Sequence, residues 1–288
     1  MFAASKRLYL DTRKKHDQLW NRYVVRPLAA PFVVALRPTP VTPNQVTFFN
    51  LGLFAVAAAC LVALPGLGGG LVAVAVIELS YVFDCVDGML ARAKKLASPT
   101  GHLLDFLTDE IKAFLLVAGL AVRLWRQGGW GFDARGWGAG DVRFLLAGVA
   151  GLVVTATGIA LTTFMRRPEY TGAATTTEAH YETAGAEPGV GSNDAGAGAG
   201  AGGGAGATTA GAPTSPVRRA AGLALVFLRF LNHYPSHIWI WAAVGRLDLF
   251  FWMYVSLQLL YCGKSMLSVL LKLGSPSAYA KRAASPGT

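Results

Sequence analysis

The sequence has few charged residues and few cysteines. Only 15% of its 288 residues are charged, whereas soluble domains usually carry about 25%. Hydrophobic residues make up 53% of the chain, and its mean hydropathy is +0.42. This composition excludes an ordinary water-soluble enzyme and predicts a membrane protein. The three cysteines all lie within apolar stretches, which excludes a disulfide framework and a cysteine-based metal site.

The first 23 residues lack a continuous apolar segment, although they are rich in basic residues. We therefore expect no cleaved signal peptide and an N-terminus that stays in the cytoplasm. Residues 5–36 mix Lys and Arg with Leu19, Trp20 and Tyr23, which is typical of an amphipathic helix lying along an anionic membrane surface. A solvated basic tail is the alternative interpretation of this segment.

Long apolar runs follow, each sufficient to cross a bilayer. Thr42, Pro43 and Gln45 predict a capping box at the start of the first run, and Ser98 and Ser215, each followed by proline, predict the starts of the third and fifth. The predicted fold class is therefore all-α, a polytopic membrane protein with six transmembrane helices preceded by an interfacial amphipathic helix. The six predicted spans are 44–64, 70–91, 100–124, 142–165, 217–243 and 248–272.

The distribution of Lys and Arg predicts the orientation. Eighteen of these 26 residues fall on one predicted side and five on the other. Because cytoplasmic loops collect basic residues, both termini are expected in the cytoplasm, with the chain in the cell inner membrane. The predicted segments are the cytoplasmic interfacial segment 1–41, helices one to four in 42–167, a disordered Gly/Ala-rich cytoplasmic loop 168–216, helices five and six in 217–273, and a cytoplasmic tail 274–288.

Two pairs of carboxylates lie inside predicted spans, where ionisable groups are costly and usually functional. Asp84 and Asp87 are spaced i, i+3, and Asp105 and Asp109 are spaced i, i+4, so each pair lies on one helix face. At about 1.5 Å per residue, all four lie roughly 8 to 15 Å below the cytoplasmic surface. Four carboxylates in one layer would repel one another unless cations neutralised them. Their hard oxygen ligands suit one or two Mg²⁺ or Mn²⁺ ions.

Small residues lie one turn from these carboxylates and leave room for a nucleotide, namely Gly88, Ala91 and Gly101. With Arg92 they complete the string D-x-x-D-G-x-x-A-R-x₈-G-x-x-x-D-x-x-x-D, which runs from position 84 to 109 without a departure. This string resembles the signature of the CDP-alcohol phosphotransferase family. The six-helix layout and the amphipathic N-terminal segment also fit that family.

The resemblance implies an enzyme of phospholipid biosynthesis that transfers a phosphoalcohol from a CDP-linked donor, expected to be CDP-diacylglycerol, to the hydroxyl of a polar alcohol, with release of CMP. It implies that Asp84, Asp87 and Asp105 bind the metal, and that Asp109 is both a metal ligand and the general base. It also implies a homodimer among membrane lipids, and we expect no nucleic-acid partner. The residues expected to line the CDP pocket are Asn44, Gly88, Ala91, Arg92 and Gly101.

An alternative from another class remains at this point. The same carboxylates would suit the cation pathway of a six-helix transporter. Release of CMP separates the two functions, because a transporter would not cleave the donor. The acceptor alcohol is not identified by the sequence.

Other charged residues within predicted spans also need partners. Lys264 lies at the depth of the carboxylates and has no acidic neighbour on its own helix. It either pairs with the aspartates or binds an anionic group of the acceptor, which would then be phosphorylated. Glu78, Lys112 and Arg229 lie about 20 Å from the cytoplasmic surface by the same rise per residue, which predicts a structural ion-pair layer beneath the site.

Overall fold

The computed structural model describes residues 2–12, 18–133, 135–167, 170, 227 and 230–273. The predicted loop 168–216 lies outside the described residues except for position 170, as do the tail 274–288 and most of 217–229. Two short strands, β1 (Gly129–Trp130) and β2 (Gly136–Trp137), form one antiparallel hairpin. Within the described residues the α-helices are α1 (Phe2–Asp11), α2 (Arg26–Leu36), α3 (Pro43–Ala63), α4 (Gly66–Lys94), α5 (Pro99–Gln127), α6 (Arg143–Met165), α7 (Ile238–Ala243) and α8 (Leu247–Leu273).

Four of the helices described are long and apolar enough to cross a membrane, namely α3, α4, α6 and α8. The chain is thus an all-α membrane protein, as predicted. The helix α5 is 29 residues long but is not among the four. It carries Asp105, Asp109, Glu110 and Lys112 in its first half, so its composition is that of a helix buried among other helices.

The predicted helix starts at α3 and α5 are confirmed. Thr42 accepts from the backbone N–H of Gln45, and the Gln45 side chain accepts from the backbone N–H of Thr42, which is a complete capping box. Ser98 accepts from the backbone N–H of Gly101 at the start of α5. These caps satisfy backbone donors that have no partner in the first turn of a helix. They fix where the two helices begin beside the motif.

The bundle is built from α3, α4 and α5 packed together, with α6 and α8 on the far side of α5. Phe54, Ile77, Leu116, Phe144 and Phe250 belong to its core, and each is 1% exposed or less. Because the five helices share this core, α4 and α5 are held side by side along the stretch that carries the motif.

The N-terminal segment forms three helical pieces instead of one amphipathic helix. The second piece is a π-helical turn, Asn21–Val25, which continues directly into α2. Along α2, Ala29 and Val33 are buried against the C-terminal half of α4, whereas Leu28 and Phe32 are exposed. The segment therefore braces the helix that carries Asp84 and Asp87.

The predicted fifth span is not a continuous helix in the part that the structure describes. Its described portion contains a 3₁₀ turn, Tyr234–Ser236, followed by the six-residue helix α7. The interruption falls at Pro235, which has no backbone N–H and disfavours helical geometry in the residue before it. The prediction of one helix over 217–243 is wrong at this point.

The loop between α4 and α5 begins at a residue whose backbone has the left-handed conformation. Lys95 has φ of 57° and caps α4, and the backbone N–H of Leu96 reaches the carbonyl of Ala91. The neighbouring Lys94 donates to the carbonyls of Thr39 and Val41, both at 2.7 Å. The end of α4 is thus tied to the segment that leads into α3.

Candidate active site

Three of the four motif carboxylates converge between α4 and α5. Carboxylate oxygens of Asp84, Asp105 and Asp109 lie within 4.8 Å of one another. They meet because the i, i+4 spacing puts Asp105 and Asp109 on the face of α5 that packs toward α4. Grouped carboxylate oxygens are donors that Mg²⁺ and Mn²⁺ prefer, so the residues present fit a divalent ion.

The fourth carboxylate, Asp87, lies one turn further along α4 and is not part of this group of three. Its Oδ2 accepts a hydrogen bond from Thr47 Oγ1 at 2.7 Å, and the residue is only 6% exposed. Its charge is within electrostatic range of Asp84 and Asp105. Its role as a metal ligand stays a prediction.

A lysine that the sequence analysis placed elsewhere lies inside the acidic group. Lys112 Nζ is 2.6 Å from Asp84 Oδ1 and 2.9 Å from Asp109 Oδ1. The prediction of a separate ion-pair layer is therefore wrong for Lys112. Glu78 has a buried carboxylate oxygen without a hydrogen-bond partner, and Arg229 lies outside the described residues.

Asn50 on α3 holds one of the carboxylates, that of Asp84, by a hydrogen bond. This residue is not among those predicted from the sequence. Its Nδ2 donates to Asp84 Oδ1 at 2.9 Å, and the residue is fully buried. Ser80 Oγ donates to Asn50 at its backbone carbonyl, 3.1 Å away, and also contacts Asn50 Oδ1. A buried asparagine in an apolar helix is a signal that could have identified this residue, since buried polar groups need partners.

The two motif glycines differ in the space around them. A Cβ added to Gly88 would lie 3.6 Å from Arg92 Nη1, which is ordinary contact distance. A Cβ on Gly101 would lie 3.2 Å from Ser98 Oγ, which is a tight contact, and 3.5 Å from Asn44 Oδ1, so α3 and α5 bring Asn44 and Gly101 close together. Ala91 is half-buried in the last turns of α4. Their contacts with a nucleotide stay a prediction.

The broken fifth helix lines the site on its deeper side. Tyr81 OH contacts His233 Nε2 at 2.6 Å and donates to Asn21 Oδ1 at 2.7 Å, and His233 Nδ1 contacts Ser236 Oγ. A cavity of about 20 Å³, the size of one water, lies against the carboxylates here. It is lined by Ser80, Tyr81, Asp84, Asp109, Lys112, His233, Tyr234 and Pro235.

Lys264 is exposed on α8, and no ion pair found between described residues includes it. The structure thus brings Asp84, Asp105 and Asp109 together and places Asn44 beside Gly101, and it shows no contact between Lys264 and these residues. The described contacts do not support its predicted role toward an anionic acceptor, which awaits a test.

Comparisons with known proteins agree with this geometry. Over 88 residues the chain is 38% identical to a bifunctional IPC transferase and DIPP synthase of Rubrobacter xylanophilus, a match that covers 30% of this chain and 19% of that protein. Over 110 residues it is 32% identical to a ceramide phosphoethanolamine synthase of Drosophila melanogaster, covering 35% of this chain and 28% of that protein. The chain therefore matches less than a third of the length of either relative.

A protein-family model gives the broadest match. It aligns with residues 40–185, about half of the chain, and this range contains the motif from Asp84 to Asp109. The helices α3, α4 and α5 and the converging carboxylates all fall inside the matched range. The chain belongs to the CDP-alcohol phosphatidyltransferase family.

Proposed function

We propose that the chain is an integral membrane transferase of substituted phosphate groups in phospholipid biosynthesis. It moves a phosphatidyl group from CDP-diacylglycerol to the hydroxyl of a polar alcohol and releases CMP. The observation that carries this proposal is the convergence of Asp84, Asp105 and Asp109 from two helices within a fully matching family motif.

The proposed metal ligands are Asp84, Asp87, Asp105 and Asp109, which would hold Mg²⁺ or Mn²⁺. When bound, the metal neutralises phosphate oxygens and the negative charge that develops on the leaving group. The residues proposed to line the CDP pocket are Asn44, Gly88, Ala91, Arg92 and Gly101. Support for this pocket comes from the space at Gly88, and from Asn44 Oδ1, which would lie 3.5 Å from a Cβ placed on Gly101.

Asp109 is the proposed general base. Its Oδ1 is engaged by Lys112, so Oδ2 is the atom that takes the proton of the acceptor hydroxyl. The hydroxyl oxygen then forms a bond to the phosphorus of the lipid phosphate. The bond from that phosphorus to the CMP oxygen breaks, and CMP leaves with the electron pair.

A second candidate function uses the same phosphoalcohol transfer but exchanges the chemical classes of donor and acceptor. In it, the donor is a CDP-linked polar alcohol and the acceptor is a lipid hydroxyl. The similarity to a ceramide phosphoethanolamine synthase favours this candidate, because its name describes a phosphoethanolamine group on a lipid. Asp109 would serve either acceptor, so the residues described do not distinguish the two. A phosphorylated polar acceptor is a further refinement that depends on Lys264.

We further propose six transmembrane helices in the cell inner membrane, with both termini in the cytoplasm, an interfacial N-terminal segment and a homodimeric assembly. The four apolar helices and the 29-residue α5 account for five crossings. The eighteen-to-five division of Lys and Arg supports the orientation.

The test is CMP release by the purified full-length protein with Mg²⁺ or Mn²⁺. CDP-diacylglycerol is offered with glycerol phosphate, inositol phosphate, inositol or serine, and CDP-ethanolamine is offered with ceramide or diacylglycerol. We expect one donor class to release CMP, and Asp109→Asn to lower that release by roughly 100- to 10,000-fold, because an amide cannot accept the proton. Asp141→Asn, at a half-buried carboxylate outside the site, is the matched control.

A folded protein that releases CMP from no pairing would contradict the proposed function. Full CMP release by Asp109→Asn would contradict the assignment of the general base alone.

A further inference from the structure

The helix α3 precedes the family motif in the chain, but it carries two buried polar side chains that contact the aspartates of α4. Thr47 Oγ1 donates to Asp87 Oδ2 at 2.7 Å, and Asn50 Nδ2 donates to Asp84 Oδ1 at 2.9 Å. Thr47 is 4% exposed, and Asn50 is fully buried. Each of the two motif aspartates on α4 therefore has its own partner on α3.

The spacing of these residues explains why both contacts form. Thr47 and Asn50 are spaced i, i+3 on α3, and Asp84 and Asp87 have the same spacing on α4. Residues three apart lie on one face of a helix. The earlier residue on α3 contacts the later one on α4, as two antiparallel neighbouring helices require. One face of α3 thus supplies a hydrogen-bond donor to each aspartate.

Ser80 fixes the orientation of the Asn50 amide. Its Oγ donates to the backbone carbonyl of Asn50 at 3.1 Å and contacts Asn50 Oδ1. An ionised carboxylate only accepts hydrogen bonds, so the amide nitrogen is the end that must face Asp84. The reverse orientation would bring two acceptors together in a buried place, which is costly. The Asn50 side chain is therefore held at its oxygen by Ser80 and directed at Asp84 by its nitrogen.

Each contact engages one carboxylate oxygen and leaves the other. Lys112 Nζ also donates to Asp84 Oδ1, at 2.6 Å, so this oxygen has two donors and Oδ2 is left for a metal. Thr47 Oγ1 lies 2.7 Å from Asp87 Oδ2 and 3.2 Å from the carbonyl of Pro43. A hydroxyl has one hydrogen, and the shorter contact directs it at Asp87. This leaves Asp87 Oδ1 for a metal.

We propose that Thr47 and Asn50 are positioning residues: by holding one oxygen of each α4 aspartate, they turn the other oxygen toward the divalent metal. They raise the affinity for the metal without touching the metal or the substrate, as hydrogen-bond partners of metal ligands do. The inference rests on the proposed function only in taking Asp84 and Asp87 to be metal ligands. A purely structural role, tying α3 to α4, would leave the metal affinity unchanged.

The experiment measures Mn²⁺ binding to the purified full-length protein without substrate, by isothermal titration calorimetry. Thr47→Val keeps the shape of the side chain and removes the hydroxyl, and Asn50→Leu removes the amide at similar volume. Each should raise the Kd for Mn²⁺ by roughly 10- to 100-fold, the loss found when a residue that supports a ligand is removed. Thr47→Ser keeps the hydroxyl and should keep the wild-type Kd.

Thr155→Val is the matched control for Thr47→Val. Thr155 is also 4% exposed and also donates to the carbonyl four residues earlier, but it lies on α6. Gln258→Met likewise removes a buried amide from α8. Both controls should keep the Kd for Mn²⁺ within about twofold of the wild-type value, even where their melting temperatures fall.

A folded Thr47→Val or Asn50→Leu protein that keeps the wild-type Kd overturns this inference and leaves the proposed function standing. An equal rise of Kd in the two controls also overturns it. Because the two contacts involve different aspartates, Thr47→Val gives a result even where Asn50→Leu does not fold. A wild-type protein that binds no Mn²⁺ contradicts the metal centre itself, and with it both the proposed function and this inference.

Discussion

The two ends of the helix bundle use charged side chains in opposite ways. At the end that carries the β1–β2 hairpin, Arg123 donates to the carbonyl of Leu61 at 3.2 Å. Asp248 accepts from the backbone N–H of Trp130 at 2.8 Å and pairs with Arg246 at 2.9 Å. These charges satisfy backbone groups that have no partner at the ends of helices and strands, so they stabilise the fold.

The Arg143–Asp141 ion pair, which is partly exposed, shows how such charges respond to pH. Arg143 donates hydrogen bonds to Asp141, which holds the pKa of the Asp141 carboxyl below its ordinary value. A carboxyl with a lowered pKa contributes stability above its unfolded pKa and loses it as the pH falls through the folded pKa. This pair therefore stays ionised through neutral and mildly acidic pH.

At the other end the carboxylates are directed at one another. Asp84, Asp105 and Asp109 converge within 4.8 Å, and Lys112 is shared between two of them. Such an arrangement costs free energy in a membrane unless another cation is bound. A charged side chain that is hydrogen-bonded to backbone groups at the ends of helices and strands therefore indicates a structural role. A cluster of side chains with an excess of one charge indicates a site that binds a ligand.

The largest effect is expected from a substitution within the acidic group. Asp105→Ala removes an oxygen ligand, so CMP release and Mn²⁺ affinity should both fall. Loss of a residue that supports a metal ligand costs roughly 10- to 100-fold, and loss of the ligand itself should cost more. CMP release measured against Mg²⁺ concentration checks this. An unchanged Mg²⁺ titration curve would mean that Asp105 is not a ligand.

The second largest effect is expected from Gly88→Ala, which tests whether the space beside Gly88 is used by the CDP donor and is not required for folding. Gly88→Ala adds a methyl group at ordinary contact distance from Arg92, so the melting temperature should not fall. The KM for the CDP donor should rise by about tenfold, as a loss of about 1.4 kcal/mol would give. Gly52→Ala on α3 is the matched control, because its added Cβ meets nothing within 4 Å. Equal KM values for the two variants would remove Gly88 from the pocket.

The opposite end should show the reverse pattern. Asp248→Asn weakens the contacts with Arg246 and the Trp130 N–H, so unfolding should become easier by about 1 to 3 kcal/mol. The kcat should stay unchanged below the melting temperature, because the residue lies at the far end of the bundle. Chemical unfolding together with CMP release tests both halves of this prediction. A tenfold loss of kcat in the folded variant would break the comparison between the two ends.

The smallest effect is expected at Lys264. If Lys264 binds a phosphorylated acceptor, Lys264→Gln raises the acceptor KM by more than tenfold. Because the side chain is exposed on α8, we now expect a change of less than about twofold. A tenfold rise restricted to the acceptor KM would restore the phosphorylated acceptor.

The spacing of residues in the sequence predicted much of this site. The i, i+4 pair Asp105 and Asp109 needed only helical geometry to share a face, and Thr42 and Ser98 fixed the starts of their helices by local hydrogen bonds. These features depend on contacts between near neighbours in the chain. They could be read from the sequence for that reason.

The backbone position of Lys112 does not predict where its charge lies. The rise per residue put its Cα about one turn below Asp109, but a lysine side chain has four methylene groups and carries its charge several ångströms away. Its i, i+3 spacing from Asp109 was visible in the sequence and would have identified the pair.

The broken fifth helix was missed for a different reason. Residues 217–243 are apolar on average, and that average outweighed the single Pro235, whose missing N–H ends a helix. The contact between Tyr81 and His233 joins residues 152 positions apart, and no local pattern predicts such a pairing.

That separation has a consequence for the order of assembly. The aspartates are all present once residue 109 has been synthesised, whereas the Tyr81–His233 contact beside them must wait for a helix pair more than a hundred residues later. Chains generally fold from the N-terminal part first during synthesis. The acidic group is therefore formed early but enclosed late, so the nascent protein carries an incomplete candidate site until its last helices have entered the membrane.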